Sequence, residues 1–250
     1  MKLSIVVPAH NEEENIGQVI EQIEGRINFP FDLVVVNDHS VDATAEIVMG
    51  LTNKFSNLTL VENKLSGGFA NAVKVGLLSV NTEVVVPVMG DLCDDLATIP
   101  LMFDKIKEGF DVVCGSRYIK GGRRIGGSRI KGFFSFLVGR TISIFIGVPT
   151  RDVANAFKMY RKEVIDSMNI ESEGFEISME LLLKAFFNRF KITEVPTVWL
   201  EREKGKSSFN MLNLKPNYSK WYLWAIKRKI GGLKLCYFRW SCLFIMKPKQ

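Results

Sequence analysis

The sequence predicts an α/β fold, with a doubly wound and mainly parallel β-sheet flanked by helices. Short apolar runs alternate with segments of helical pattern through the first 200 residues. Three of these runs, at 3–9, 33–36 and 84–88, are rich in valine and isoleucine and stop abruptly at polar residues. Such runs are typical of strands covered on both faces, and their alternation with helices favours parallel pairing.

Each strand of the amino-terminal half is an apolar run followed by a helical segment. The predicted elements are strand 3–8, helix 12–25, strand 32–37, helix 42–52, strand 58–62, helix 69–80, strand 84–89 and helix 98–107. The acidic residues at 12–14 favour the positive end of the first helix, and Asp42 is predicted to cap the second. Gly67 and Gly68 precede the third, and Pro100 is tolerated in the first turn of the fourth.

The same alternation continues into the second half of the chain. Its predicted elements are strand 111–115, helix 130–147, strand 156–160, helix 175–189 and strand 191–200. The segment 149–156 is predicted to form a turn into its strand. Residues 120–128 form a basic, glycine-rich stretch with few residues that could pack, so we expect a mobile loop over the site.

Composition limits the class of protein. A chain of 250 residues suits one α/β domain with a tail. Its cysteines show neither a CxxC pair nor zinc spacing, so we expect free thiols in a reducing compartment; they are Cys93, Cys114, Cys236 and Cys242. The start of the chain lacks the pattern of a secretory signal. The chain contains no G-x-G-x-x-G, which disfavours a dinucleotide oxidoreductase, and no glycine-rich basic loop after the first strand, which disfavours a sugar nucleotidyltransferase.

Charge is distributed unevenly along the chain. No acidic residue follows Glu203, whereas eleven Lys and Arg do, together with three Trp and three Tyr. We therefore predict one domain at 1–210 and a basic, aromatic segment at 211–250 that associates with an anionic membrane surface. A nucleic-acid patch and a face packed on the domain are the alternatives. No apolar run reaches the ~20 residues that a membrane-spanning helix needs.

Polar residues cluster at the predicted strand ends, where open sheets bind ligands. They are Asn11, Glu12, Asp38, Asp42 and Asp91. Such groups could hold ribose hydroxyls, a base edge or a divalent cation. They could instead be caps and turn residues, which asparagine and aspartate favour. Three strand ends of this kind in succession favour a nucleotide site, although Asp42 suits a cap better than a ligand.

The chain resembles family 2 glycosyltransferases of the GT-A fold, and within them the dolichyl-phosphate and polyprenyl-phosphate mannose synthase group. The resemblance covers roughly residues 1–210. It is carried by five motifs: Val-Pro-Ala-His-Asn-Glu at 7–12, Asn-Asp-His-Ser with Asp42 and Thr44 at 37–44, Gly-Gly-Phe-Ala-Asn-Ala at 67–72, Gly-Asp at 90–91 and Gly-Ser-Arg-Tyr at 115–118.

The resemblance implies a nucleotide-sugar site. The residues implied to surround a GDP- or UDP-sugar are Pro8, Ala9, Asn11, Glu12, Asp38, Gly68 and Asp91. Asp91 is also implied to be a catalytic residue and the ligand of Mg²⁺ or Mn²⁺. The chain departs from the family at Met89, where the first Asp of the metal-binding D-x-D is usual, and Asp94 and Asp95 could compensate. His10 and His39 are predicted to line the pocket without a catalytic role.

The resemblance also implies an acceptor site for a polyprenyl or dolichyl phosphate. Its residues would be Arg117, Arg129, Lys131 and Ser135, with Arg117 also catalytic and able to grip phosphate bidentately. The implied activity is inverting transfer of a hexose by a peripheral protein at the cytoplasmic face of a membrane, without a nucleic-acid partner.

Two other functions remain open from the sequence. A saccharide hydroxyl could be the acceptor, in which case Asp94, Asp95 or Glu176 would be the general base. Alternatively, Met89 could mark a catalytically silent membrane protein that only binds nucleotide sugars.

Overall fold

The computed structural model describes residues 1–91, 93–201 and 217–231. Its elements in chain order are β1 (Leu3–Ala9), α1 (Ile16–Arg26), β2 (Phe31–Asn37), α2 (Thr44–Thr52), β3 (Leu58–Glu62), α3 (Phe69–Ser79), β4 (Val84–Pro87), α4 (Thr98–Lys107), β5 (Val112–Ser116), β6 (Arg123–Ile125), α5 (Arg129–Ile146), β7 (Lys158–Arg161), α6 (Lys162–Asp166), α7 (Ile177–Phe187), β8 (Ile192–Pro196), β9 (Val198–Leu200) and a helix at 217–231, here α8.

The central sheet confirms the predicted α/β class. Its seven strands lie in the order β3-β2-β1-β4-β7-β5-β8. Strands β1 to β4 pair in parallel with one another, as do β5 and β8. Strand β7 is antiparallel to both of its neighbours, β4 and β5. The sheet is therefore mainly parallel, with one reversed strand joining its two parallel parts.

The prediction of a single strand over 191–200 is wrong. The segment divides at Thr197 into β8, in the main sheet, and β9, which pairs with β6 in a small second sheet. The Thr197 N–H still donates to the Ser116 carbonyl of β5 at 3.1 Å, whereas the Thr197 carbonyl accepts from the Arg123 N–H of β6 at 3.1 Å, so the chain changes its pairing partner at this residue. The glycine-rich stretch predicted as a loop thus contains a short strand, β6, held by β9.

Side chains of the central strands alternate between two cores, one on each face of the sheet. Ile5 and Val7 pack with α1, α2 and α4, whereas Val6 packs with α3, α5, α7 and α8. Burial on both faces explains why the strands are continuous apolar runs. Helix α3 lies so close to β1 that a Cβ on Gly76 would come within 2.2 Å of the Val6 Cγ1 atom.

Helix α8 is part of the core, although its sequence lies in the predicted carboxyl-terminal segment. Trp221 is 1% exposed, and its Nε1–H donates to the Ser172 Oγ at 2.9 Å. Ala225, one turn later, is fully buried. The predicted boundary near residue 210 falls outside the described residues, as do 232–250. Among the described helices, none combines the length and apolar character that crossing a bilayer requires.

Trp221→Ala should lower the free energy of unfolding by about 3–5 kcal/mol, because it empties a filled core position. Urea denaturation would measure the loss. Leu223→Ala, at an exposed position two residues away on the same helix, should change stability by about 0.5 kcal/mol or less. Equal unfolding midpoints for the two variants would contradict the packing of α8 on the core.

Candidate active site

The loops that follow β1 and β2 are joined by hydrogen bonds through Asn11. The Asn11 N–H donates to the Ser40 Oγ at 3.1 Å, and the Val41 N–H donates to the Asn11 Oδ1 at 2.9 Å. Asn11 has a φ of 53°, a left-handed conformation that asparagine tolerates better than most residues. Asn11 therefore holds the two strand-end loops together at the edge where the sequence predicted a ligand.

Asp42 stabilises the same pair of loops, in keeping with its preferred assignment as a cap. Its carboxylate accepts hydrogen bonds from the backbone and hydroxyl of Thr44, the first residue of α2, and from the Glu13 N–H. Burial alone would raise the pKa of Asp42, but these hydrogen bonds outweigh it and lower that pKa. The residue directly before α2 is Ala43, so Asp42 acts one position earlier than a standard N-cap.

Asp38 is buried and organises the glycine loop before α3. Its Oδ1 accepts from the Asn63 side-chain amide at 2.6 Å, and its Oδ2 accepts from the Gly68 N–H at 2.9 Å. Gly68 has a φ of 141°, which side-chain-bearing residues rarely adopt. Asp38 thus fixes the position of this loop, a role that the sequence motif did not reveal.

The two histidines tie loops together at this edge. The His10 Nδ1 lies 2.6 Å from the Asp38 carbonyl oxygen, and the His39 Nε2 lies 2.8 Å from the Leu65 carbonyl oxygen. Each histidine therefore links one strand-end loop to the next, and the absence of a catalytic role for either stays a prediction.

The end of β4 brings carboxylates against the end of β1. A Cβ on Gly90 would lie 3.2 Å from the Pro8 carbonyl oxygen, so these two strand ends touch. The Asp91 Oδ1 accepts from the Cys93 N–H at 3.2 Å, and the Asp94 Oδ2 accepts from the Met89 N–H at 2.9 Å. The Met89 backbone thus helps to hold the Asp94 carboxylate in place, although the Met89 side chain is not a ligand for a hard metal ion.

Asp94 carries a perturbed carboxyl group. Its pKa is raised to about 7, chiefly by burial and also by the nearby charge of Asp91, although the Met89 N–H and Arg117 oppose the rise. Within the described ranges, no group of three or more His, Cys, Asp or Glu side chains could hold a metal ion. Paired carboxylates do fit a divalent cation whose remaining ligands are phosphate oxygens and water.

Arg117, at the end of β5, forms the second part of the site with a partner that sequence analysis missed. Its Nε donates to the Oδ2 of fully buried Asp152 at 2.7 Å, and its Nη2 donates to the Oδ1 at 2.8 Å. The Arg117 N–H donates to the same carboxylate. Burial alone would lower the pKa of Arg117, but the charge and hydrogen bonds of Asp152 outweigh burial and raise it.

The predicted acceptor residues on α5 lie at different depths. The Ser135 Oγ accepts from the Arg117 Nη2 at 3.2 Å, so the structure brings these two together. Arg129 is exposed at the first position of α5, and the Lys131 N–H donates to the Ser128 Oγ that caps the helix. The role of the Arg129 and Lys131 side chains as phosphate ligands remains a prediction.

The small second sheet adds a cation to this region. Arg124 and Trp199 are paired across β6 and β9, and the guanidinium lies 4.7 Å from the centre of the indole ring. Burial lowers the pKa of Arg124, and the positive charge of Arg117 lowers it further. Trp199 is half-buried and is the surface on which Arg124 stacks.

Asp152→Ala should destabilise the protein by about 3–5 kcal/mol, because Arg117 would keep a buried charge without its partner. Chemical denaturation at neutral pH would measure the change. Asp104→Ala removes an exposed ion pair with Lys107 and should cost about 0.5 kcal/mol or less. If Asp152→Ala lowered the free energy of unfolding as little as this control does, the buried charge of Arg117 would not depend on Asp152 for its stabilisation.

Comparisons with known proteins agree with the fold and the motifs. The family described as "Glycosyl transferase family 2" matches residues 4–168. A dolichol-phosphate mannosyltransferase of Pyrococcus furiosus is 31% identical over 83% of this chain, which spans only 59% of that protein. A dolichyl-phosphate hexose transferase of Haloferax volcanii is 30% identical over 80% of this chain and 83% of its own length.

Solved structures show the same fold at lower identity. A glucosyl-3-phosphoglycerate synthase from Mycobacterium tuberculosis, in complex with Mn²⁺ and UDP, superposes with a TM-score of 0.66 at 20% identity, over 92% of this chain and 80% of that one. TarS of S. aureus, in complex with UDP-GlcNAc, gives a TM-score of 0.65 at 20% identity, over 91% of this chain and 66% of that one. With the family match and the relatives above, the chain belongs to glycosyl transferase family 2.

Proposed function

We propose that this protein transfers a hexose, with inversion, from a GDP- or UDP-sugar to a polyprenyl or dolichyl phosphate. The observation that carries the proposal is that two opposite charge clusters adjoin each other. Asp94 forms an isolated backbone bridge with Trp199, on which Arg124 stacks, and the charge of Arg117 acts on the pKa of Asp94, so the cationic and the carboxylate groups are near neighbours. An anionic acceptor at Arg117 would therefore face a donor held beside Asp91.

The names of the relatives support the acceptor class. The relatives from Pyrococcus furiosus and Haloferax volcanii are named for transfer to dolichyl phosphate, and one from Mycolicibacterium smegmatis is a polyprenol monophosphomannose synthase. That third protein is 25% identical over 90% of this chain and 88% of its own length. The acceptor phosphate, and the membrane in which such a lipid lies, are proposed for this chain on that basis.

On the donor side, the nucleotide would lie across the loops that follow β1, β2 and β3. The proposed contacts are Pro8, Ala9, Asn11, Glu12, Asp38, Gly68 and Asp91. Gly67 and Gly68 present backbone without side chains, which permits close approach of a diphosphate. Because the Asp38 carboxylate already binds Asn63 and Gly68, its contribution to donor binding includes holding this loop in place.

A divalent cation, Mg²⁺ or Mn²⁺, is proposed to bind at Asp91 together with the donor. When bound, it would stabilise the negative charge that develops on the departing nucleoside diphosphate. The Mn²⁺ and UDP of the Mycobacterium tuberculosis structure belong to a protein of the same fold and support this choice. Asp91 and Asp94 supply oxygen ligands of the kind that such ions prefer.

On the acceptor side, Arg117 is proposed to bind the lipid phosphate in a fixed orientation. Its Nε and Nη2 bind Asp152, so Nη1 is the nitrogen not used by that ion pair. A phosphate would accordingly meet Nη1 and the Ser135 hydroxyl rather than the bidentate fork that the sequence suggested. A phosphate oxygen is already ionised at neutral pH, and its attack on the sugar carbon needs no general base.

Asp91→Asn should reduce transfer by about 100-fold and weaken Mn²⁺-dependent nucleotide binding, because it removes an anionic ligand. Steady-state kinetics and calorimetric titration of UDP or GDP with Mn²⁺ would measure both effects. Asp104→Asn, at an exposed aspartate of α4, is the control. Met89→Asp should be tolerated. Full activity of Asp91→Asn with an unchanged metal requirement would refute the assignment.

Arg117→Lys should raise the acceptor KM by about tenfold and leave donor affinity nearly unchanged, because lysine keeps the charge opposite Asp152 but loses the planar guanidinium. Kinetics with a short polyprenyl phosphate and a fixed donor would measure it. A fall in donor affinity with constant acceptor KM would place Arg117 in the nucleotide site instead.

A substrate screen tests the function as a whole. GDP- and UDP-hexoses should be compared for metal-dependent thermal stabilisation, and those that stabilise should then be tested with a short polyprenyl phosphate. Turnover only with saccharide acceptors would favour the hydroxyl-acceptor alternative, and binding without any turnover would favour the catalytically silent one. The segment 211–250 and attachment at the cytoplasmic membrane face remain part of the proposal.

A further inference from the structure

Helix α5 carries apolar side chains on two opposite faces. On the inner face, Ile142 and Ile146 are buried in the core. The outer face exposes six large apolar side chains by 42–67%: Ile130, Phe133, Phe134, Leu137, Ile144 and Phe145. At 3.6 residues per turn, these six lie within an arc of about 120° opposite the buried face. A helix that is apolar all round is normally covered on all sides.

The charges that α5 and its neighbours in the chain carry have one sign. Residues 112–151 contain eight Lys and Arg and no Asp or Glu. On α5 itself, Arg129 and Arg140 border one side of the apolar arc and Lys131 borders the other, by the same helical geometry. Basic side chains on the borders of an apolar helix face are typical of helices that lie in a membrane interface, where the long stems reach the headgroups.

Helix α8 adds to this surface at the carboxyl-terminal end of α5. The Lys229 Nζ donates to the Ile146 carbonyl at 3.0 Å. The side chains that α8 exposes include Leu223 and Ile230 together with Lys227 and Arg228. The contact thus joins one helix from each of the two longest stretches of the chain that lack acidic residues, 112–151 and 204–250.

We propose that α5 docks this protein on an anionic lipid bilayer, lying in the plane of the membrane with its outer apolar face inserted among headgroups and upper acyl chains. Charge complementarity favours the bilayer over a second copy of the chain, because a symmetric dimer through this face would bring basic residues together. The membrane contact assigned by sequence to the tail alone is thereby placed on a described helix of the domain.

The inner side of the same helix leads directly to the proposed acceptor site. Ser135 accepts a hydrogen bond from Arg117, and the Tyr118 hydroxyl donates to the Gly132 carbonyl at 3.1 Å. The ring of Phe136 meets that of Tyr118 edge-on, with centroids 5.5 Å apart. Docking through α5 would hold Arg117 near the headgroup layer, where the phosphate of a lipid acceptor lies; this link, unlike the docking itself, rests on the proposed function.

Vesicle flotation of the full chain tests the docking surface. The variant Ile144→Gln/Phe145→Gln replaces side chains that are 62% and 67% exposed, more than two turns away from Ser135. Its partition coefficient for phosphatidylcholine vesicles that contain about one third phosphatidylglycerol should be lower than that of the wild type by about tenfold or more. The matched control, Met49→Gln/Leu101→Gln, alters residues 61% and 51% exposed on α2 and α4 and should bind like the wild type.

Three results would overturn the proposal. Equal vesicle binding by both double variants would place membrane contact elsewhere in the chain. A change in sedimentation coefficient on mutation of α5, without a change in vesicle binding, would identify the face as a contact between copies. A lower melting temperature with unchanged vesicle binding would show that the chain itself covers the face.

A short, water-soluble polyprenyl phosphate separates this proposal from the proposed function. The Ile144→Gln/Phe145→Gln variant should turn over such an acceptor at the wild-type rate in the absence of vesicles, while losing turnover of a long-chain acceptor embedded in them. Absence of transfer by the wild-type protein to either acceptor would contradict the proposed function, and the flotation result would still decide the docking surface.

Discussion

The parallel register of the first three strands is the constraint on which the site depends. Ala9 pairs with Asn37, and Asn37 pairs with Glu62, so β1, β2 and β3 end side by side. The loops that leave these ends are consequently close enough for one buried carboxylate, that of Asp38, to bind two residues of the third loop. The apolar interior of the sheet fixes this register, because a shift by one residue would turn every valine towards the opposite core.

A second constraint is electrostatic. The end of β5 places a guanidinium in a mostly buried position, and the fold neutralises it with Asp152 rather than with solvent. Such a pair holds its cation in one place, because separating the two charges leaves each without compensation in a poorly solvated environment. The charge of this cation also opposes the rise in the pKa of Asp94, so the carboxylate cluster after β4 and the Arg117–Asp152 pair adjoin each other in one site.

The sequence allowed prediction of the strands, the strand-end residues and the family, since all of these are recorded in local patterns. It could not predict that β7 runs antiparallel, because a short strand-like run such as 157–160 has the same composition in either direction. Asp152 was missed for a related reason: its partner Arg117 is 35 residues away, and the local pattern around Asp152 is that of a turn. The division at Thr197 was missed because both halves of 191–200 have the pattern of a strand, and the change of partner from β5 to β6 depends on tertiary contacts.

Helix α5 shows how one segment can satisfy two environments. Its sequence has no acidic residue, carries isoleucine on both faces and exposes its phenylalanines, so it contains more apolar side chains than its contact with the core buries. The buried residues Gly139, Ile142 and Ile146 anchor the helix. Gly139 lets it approach Arg151 so closely that a Cβ at residue 139 would lie 2.1 Å from the Arg151 carbonyl oxygen. The same close packing also fixes where Ser135, one turn earlier on the helix, lies relative to Arg117. The packing that orients the proposed acceptor site thus also determines which apolar side chains of α5 point outward. A bilayer in contact with α5 and a phosphate at Arg117 would therefore be positioned by the same helix.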